Sequence, residues 1–295
     1  MKRRTSGLAV FDSTLLLFMV VVCFVTLYPF VNMVAISFND SIDTVRGGIY
    51  FMPRVPTLQN YRAVFGNSRL AHAAFISVSR TVVGAGLGVF SSAMVAYCLK
   101  RKDFMLRKPM TILFLLTLYF SGGLVPEFLL IVNLGLVDKF AVYILPSLLS
   151  AWNIIVIRAF MQGLPDSLEE SATLDGASDL TIFFRIVLPL CKPVIATVTL
   201  FVAVFQWNSW IDTFLYAARS ERLTTLQYEL MRILESTSSM MSAEAFRGQE
   251  ERMATVTPQS IRAAITIVAT VPILLVYPFL QRYFVKGLVL GAVKS

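Results

Sequence analysis

Six stretches of nearly unbroken apolar sequence, separated by polar segments, decide what this chain can fold into. They run from Leu15 to Phe38, Ala73 to Leu99, Met110 to Phe120, Ala141 to Phe160, Val194 to Ala217 and Ile261 to Phe284. A helix needs about 20 apolar residues to cross the hydrocarbon core of a bilayer. The third run is the shortest; Ser121, Gly122, Gly123 and Pro126 break it, and an amphipathic segment follows to Leu136. Only 15% of the 295 residues are charged, 56% are hydrophobic, and the mean hydropathy is +0.70. Soluble domains carry roughly 25% charged residues, so a packed core cannot absorb the deficit and a bilayer must be the solvent. The expected fold is an all-α integral membrane protein with six transmembrane helices.

The segments between the runs set the topology. The first run is longer than the apolar region of a signal peptide and no small-residue cleavage site follows it, so an uncleaved first helix is expected, with Tyr28 and Pro29 inside it. Residues 39 to 71 read as a polar loop with some helix near Leu58 to Phe65. In the second run, Gly84, Gly88, Ser92 and Ala93 suit close helix packing in lipid. Six crossings put both termini on one side. The tight basic clusters Lys2 to Arg4 and Lys100 to Lys108 make that side the cytoplasm. The net charge of +8 is therefore read as membrane topology, with no nucleic-acid partner.

Catalytic and metal-binding chemistry finds little here. His72 is the one histidine and reads as a polar tip at a loop boundary. Cys23, Cys98 and Cys191 are too scattered for a disulfide or zinc framework and read as small buried hydrophobes. No catalytic or metal residue is expected. Several polar side chains inside apolar runs are candidates for a solute path. Arg80 either lines the path or snorkels to the outer interface. Trp207, Asn208, Trp210 and Asp212 combine aromatic faces suited to sugar rings with groups suited to hydroxyls; an interfacial aromatic belt is the other reading. Glu127 either faces the mouth of a cavity or is simply solvated.

The segment from Leu164 to Pro189 is the most informative. Asp166 and Glu169 have the spacing of a helix N-cap and its reciprocal partner. Gly176 suits the left-handed turn that ends a helix, and Ser178 suits the cap of a second one. Leu180, Phe183, Phe184 and Val187 then fall on one face, and Pro189 is expected to stop the helix. The result is a cytoplasmic helix–turn–helix between spans four and five, edged by Glu169, Glu170 and Asp175. Such a knob suits a groove on a partner.

Glu170-Ser171-Ala172, three residues, Gly176, nine residues, then Ile186-Val187-Leu188-Pro189 resembles the signature loop of bacterial ABC import permeases. Ser171 in place of alanine is the one departure. Thr57 to Tyr61, Gln206 to Asp212 and Tyr277 to Gly287 resemble segments of the maltose-type, carbohydrate branch. The resemblance covers nearly the whole chain and implies a permease subunit of the oligosaccharide subgroup. It implies residues 1–71 as N-terminus, first span and extracytoplasmic loop, 72–284 as an ABC transporter type-1 core, and 285–295 as a cytoplasmic tail. It further implies a second homologous permease, an ATPase dimer that binds ATP and Mg, an extracytoplasmic solute-binding protein, and a bacterial inner membrane. Coupling to the ATPase falls to Glu169, Glu170, Ala172, Asp175, Gly176, Ile186, Leu188 and Pro189. The sequence has no G-x-x-x-x-G-K-[ST] phosphate loop, so ATP belongs to another subunit. Arg46, Arg54, Arg62 and Arg69 on the outer side suit an acidic, uronate-containing oligosaccharide. A permease of another ABC branch, and an intramembrane enzyme, are the competing readings; the enzyme lacks a facing nucleophile and base.

Overall fold

The computed structural model describes residues 6–66, 68–233, 235 and 257–292. The cluster Lys2 to Arg4 and residues 236–256 of the second polar loop lie outside the described residues, as do the side chains of most of the Tyr277 to Gly287 segment. Among the described residues the chain is helical, with turns and one isolated antiparallel bridge between Asn39 and Pro56. The all-α expectation holds. Three helices are long and apolar enough to cross a membrane, and a bent pair makes a fourth if it counts as one span. The contacts divide the chain into two compact units.

The first unit takes Met1–Ser68 and Leu230–Val271. Helix α1, Ser6–Ser37, contains Pro29 and, from Phe11 to Val34, leaves most of its apolar side chains uncovered, as a span in lipid can. The polar loop after it holds two short helices, α2 (Ser41–Val45) and α3 (Gln59–Phe65), of which only the second was legible. Asp40 caps α2 by accepting from the amides of Ile42 and Asp43. Asn60, fully buried, ties the loop to the end of α1: it donates to the carbonyls of Ser37 and Asn39 at 3.0 and 2.8 Å and accepts from Ser41 Oγ.

The second unit takes Arg69–Glu229 and Pro272–Ser295. Its longest element is α4, Ser68–Lys100, followed by α5 (Arg107–Tyr119) and α6 (Leu124–Asn133). The break between α5 and α6 falls at Ser121–Gly123, where Gly123 has φ +85°, a conformation that favours glycine. The fourth apolar run is not one helix. A 3-10 turn at Phe140–Tyr143 leads through an irregular stretch to α7, Ala151–Gln162, because Pro146 lacks the amide a continuous helix needs there. Next come α8 (Ser167–Leu174), α9 (Asp179–Ile182), a looser π turn at Phe183–Val187, and α10 (Leu188–Leu190). The fifth run is also broken, into α11 (Lys192–Asn208) and α12 (Ile211–Tyr216). Helix α13 covers 226–233, and α14 spans Pro258–Ala292, contributing to both units.

One core cluster joins the inner parts of α4, α7, the π turn and α11 through Ala93, Tyr97, Ile157, Phe183 and Val198. A second gathers Ile76, Ile131, Tyr143 and Tyr216 around the breaks in the third, fourth and fifth runs. Cys191 is buried, as expected, but Cys23 and Cys98 are exposed on apolar helices, where a thiol needs no polar partner in lipid.

Candidate functional site

The segment from Leu164 to Pro189 folds as two helices joined at Gly176, as the sequence implies. Gly176 has φ +80°. The Ala177 amide donates to the carbonyl of Ala172 at 2.9 Å and the Gly176 amide to that of Thr173 at 3.0 Å. These are the two bonds of a Schellman motif, which close the exposed carbonyl end of α8. Ser178 caps the next helix by accepting from the Thr181 amide at 3.4 Å.

Three expectations for this segment need correction. Asp166 precedes α8 but makes no side-chain capping bond. Its carboxylate accepts from Lys102 Nζ at 3.0 Å, and Glu169 pairs with Lys100. A full ion pair outcompetes a reciprocal cap for both carboxylates. Pro189 does not stop the helix. The chain stays helical to Leu190, and the 81° bend falls at Cys191, ahead of Lys192 and Pro193. Pro189 has no N–H for the carbonyl of Arg185, and the π turn just before it opens the helix enough to seat the ring. That π turn also alters the face: Phe183 and Val187 are buried with Ile182, whereas Leu180 and Phe184 are exposed.

The basic cluster at the end of α4 is thus the clasp of this segment. Lys100, Arg101 and Lys102 each hold a different acidic residue, Glu169, Asp179 and Asp166. Arg101 also binds Asp103 through two nitrogens, at 3.0 and 2.7 Å. Hydrogen bonding and charge from Lys102 hold the Asp166 carboxyl below its ordinary pKa, and Arg101 does the same for Asp103. Of the residues singled out for coupling, Ala172 is buried, Glu169, Ile186 and Leu188 are partly buried, and Glu170, Asp175, Gly176 and Pro189 are exposed. Leu174 is 89% exposed at the tip.

The second site lies in the apolar interior of the same unit. Arg80 is 1% exposed, so it does not snorkel. Its guanidinium donates from Nε to Gln206 Oε1 at 3.1 Å, from one terminal nitrogen to Asp212 Oδ1 at 3.1 Å and to the Ser209 carbonyl at 3.3 Å, and from the other to Gln206 Oε1 at 2.9 Å and Asp212 Oδ2 at 2.5 Å. Its carbon lies 4.4 Å from the centroid of the Tyr143 ring. The Gln206 amide nitrogen donates onward to the Tyr143 carbonyl at 3.1 Å and to Ser147 Oγ at 2.9 Å. Gly84 makes this possible: a methyl group there would stand 2.7 Å from the Gln206 amide nitrogen. The sequence marked Arg80 and Asp212 one by one; their partnership, and the parts of Gln206, Tyr143 and Ser147, were not legible.

The remaining path candidates are not gathered into this cluster. Trp207 is buried beside it, and Asn208 is exposed and donates to the Val204 carbonyl of its own helix. Glu127 is exposed in the first turn of α6. Trp210 is partly covered and lies against Phe214. His72 places Nε2 2.9 Å from the Arg222 carbonyl, which makes that nitrogen the donor.

Several known proteins of similar sequence are transport permeases. The polygalacturonan/rhamnogalacturonan transport system permease protein YtcP of Bacillus subtilis is 38% identical over 288 residues, covering 97% of this chain and 98% of its own. The arabinooligosaccharides transport system permease protein AraQ of Halalkalibacterium halodurans is 29% identical over 300 residues and covers both chains fully. A solved bacterial ABC transporter involved in the import of the acidic polysaccharide alginate has a chain with the same fold, at a TM-score of 0.85 and 22% identity, covering 96% of this chain and all of that one. These likenesses bear out the reading of an ABC permease of the sugar branch, a membrane transport component rather than an enzyme. The model of the family described as "binding-protein-dependent transport system inner membrane component" matches residues 6–290, and the chain belongs to that family.

Proposed function

We propose that this chain forms one half of the membrane path of an ABC importer for an oligosaccharide, acidic oligosaccharides included, driven by ATP hydrolysis in separate subunits. The Leu164–Pro189 knob carries the reading: it leaves Glu170, Leu174 and Asp175 uncovered beside the Gly176 turn, on a chain without a phosphate loop. On this reading α8 enters a cleft on an ATPase dimer that binds ATP and Mg. Glu170 and Asp175 meet basic residues there, Gly176 permits close approach, and Ile186, Leu188 and Pro189 seat the second helix. Glu169, held by Lys100, ties the knob back to α4.

The same reading gives six crossings: α1, α4 and α14 as single helices, and three assembled from shorter pieces. Those three are α5 with α6, the 140–143 turn with α7, and α11 with α12. Broken spans are viable where the freed backbone groups meet partners inside the protein, and Arg80 on the Ser209 carbonyl supports this. Residues 72–284 then form the type-1 core between the 1–71 and 285–295 segments, with both termini and the knob in the cytoplasm of a bacterium. A second permease and an extracytoplasmic solute-binding protein complete the assembly. The names of the relatives, polygalacturonan/rhamnogalacturonan and the acidic polysaccharide alginate among them, support an acidic saccharide. Arg46 and Arg62, both exposed in the first polar loop, support an anionic one, whereas Arg54 is paired with Asp43 and Arg69 with Glu221 and Glu229. Trp207, Asn208 and Glu127 are the candidates for contact with it.

The test is uptake into vesicles by the assembled transporter, with oligogalacturonate and a neutral arabino-oligosaccharide, for the native chain, Gly176→Asp and Glu170→Ala. Native uptake of oligogalacturonate is expected, with both variants inserted but inactive. Normal uptake in both variants would remove the coupling assignment, and loss of insertion would make the loop a folding element. Transport of the neutral sugar alone would remove the acidic substrate.

A further inference from the structure

We infer that Arg80 and Asp212 are positioning residues for transport: they hold the break between α11 and α12 in one geometry, and the Arg80 guanidinium does not contact the sugar. This rests on the transport function proposed above, but the observation behind it is independent. A guanidinium has five N–H donors. All five of Arg80 are committed within the chain, to Gln206, Ser209 and Asp212, and one face of the group stacks on Tyr143. Nothing remains with which to bind a hydroxyl or a carboxylate.

What these bonds hold is the break itself. Helix α11 ends at Asn208, and α12 begins at Ile211. The Ser209 carbonyl at this break is taken by Arg80, and the first acidic group of α12, Asp212, is taken by the same guanidinium. The Asp212 carboxylate also accepts from the Thr213 amide at 2.9 Å, which fixes the first turn of α12. Gln206, one turn before the break, is gripped from both ends. A single buried cation therefore sets the angle at which Trp207, Asn208 and Trp210 are presented. Lysine carries the charge but not the planar fork, and cannot make these contacts together.

The discriminating experiment uses the assembled transporter in vesicles, with Arg80→Lys and Asp212→Asn. Uptake is measured for oligogalacturonate and for its methyl ester, which has the same length without the charge. In parallel, Asn208→Cys is introduced into a chain with Cys23→Ser and Cys98→Ser, with and without each variant. Its labelling by a membrane-impermeant maleimide reports the geometry of the break whether or not sugar is carried. Both variants are expected in the membrane at reduced abundance, with maximal uptake per inserted transporter lowered about tenfold or more, by the same factor for either saccharide, and a labelling rate altered several-fold. Loss confined to the acidic saccharide would mean that Arg80 binds its carboxylate, and would overturn the inference. Native labelling in both variants would overturn it as well, and disappearance of both from the membrane would reduce the pair to a folding contact. Failure of the native transporter to carry either saccharide, with labelling altered as expected, would remove the proposed substrate and leave the positioning role standing.

Discussion

At Gly84 an added methyl group meets the Gln206 amide at 2.7 Å, and that amide is not free to swing aside because Arg80, Tyr143 and Ser147 hold it. Gly84→Ala is expected to cost about 2 kcal/mol, the usual penalty for overpacking a filled interior. A lowered Tm of the detergent-solubilised complex would show it, and an unchanged Tm would mean that Gln206 yields. Gly176 is constrained differently. Nothing lies within 4 Å of the position a Cβ would take, so the strain of Gly176→Ala comes from φ +80° alone, about 1–2 kcal/mol. The sequence told these two glycines apart only in part. Gly176 stands between a polar helix and a serine cap, so its role was local and legible. Gly84 looked like one small residue among several on a packing face, because the Gln206 that needs the space is 122 positions away. The Arg80–Asp212 pair escaped for the same reason: a buried charge announces that it has a partner, not which one.

Among the elements, the clasp between the end of α4 and the α8–α9 knob contains ion pairs of very unequal worth. Lys100 and Glu169 are 7% and 19% exposed, and removing one partner strands a charge, at a cost of about 3–5 kcal/mol. Lys100→Met is therefore expected to lower complex yield sharply, whereas Lys100→Met with Glu169→Met restores much of it. Lys102 and Asp166 are 82% and 55% exposed, and Lys102→Ala is expected to leave the melting temperature essentially unchanged. Co-purification of the ATPase subunits and thermal melting of the complex measure both. The sign of the pH effect follows from the depressed Asp166 carboxyl. Its pairing with Lys102 is complete above the ordinary carboxylate pKa and is lost only as the pH falls through the lower folded value. Coupled ATP hydrolysis is thus expected to be insensitive to this group near neutral pH and to respond to added salt instead. The helix–turn–helix itself was legible because its turn chemistry is local. The capping box and the stop at Pro189 were misread because long-range lysines and a π turn decided them.

For the molecule as a whole, α1 is the plainest evidence of an assembled and lipid-embedded existence. Phe18, Phe24 and Leu27 each expose about three-fifths of their surface, which water would not tolerate along an entire helix. The chain by itself is expected to hydrolyse no ATP, and to be recovered in good yield only with a second permease and two ATPase subunits. Substrate-stimulated hydrolysis by the isolated chain would refute that. Composition and periodicity were enough to read the membrane class, since a 15% charged chain has few other solutions. The break after the third run was marked by Ser121, Gly122, Gly123 and Pro126, but hydropathy did not reveal that the fourth and fifth runs are broken as well. An apolar run records where the chain is dry, and a helix that stops inside it at Ser209 or Pro146 leaves no mark on hydropathy.

Helix α4 carries both clusters of charge, with Arg80 and Lys100 twenty residues apart on one uninterrupted helix. Each residue added to a helix turns everything beyond it by about 100° and advances it by about 1.5 Å. Inserting a single residue between those positions would aim one of the two side chains away from its acid, however innocuous the residue inserted. The number of residues between them is consequently constrained whatever those residues are. Gaps in alignments of related permeases are expected to fall in the polar loops on either side and to be missing between positions 80 and 100.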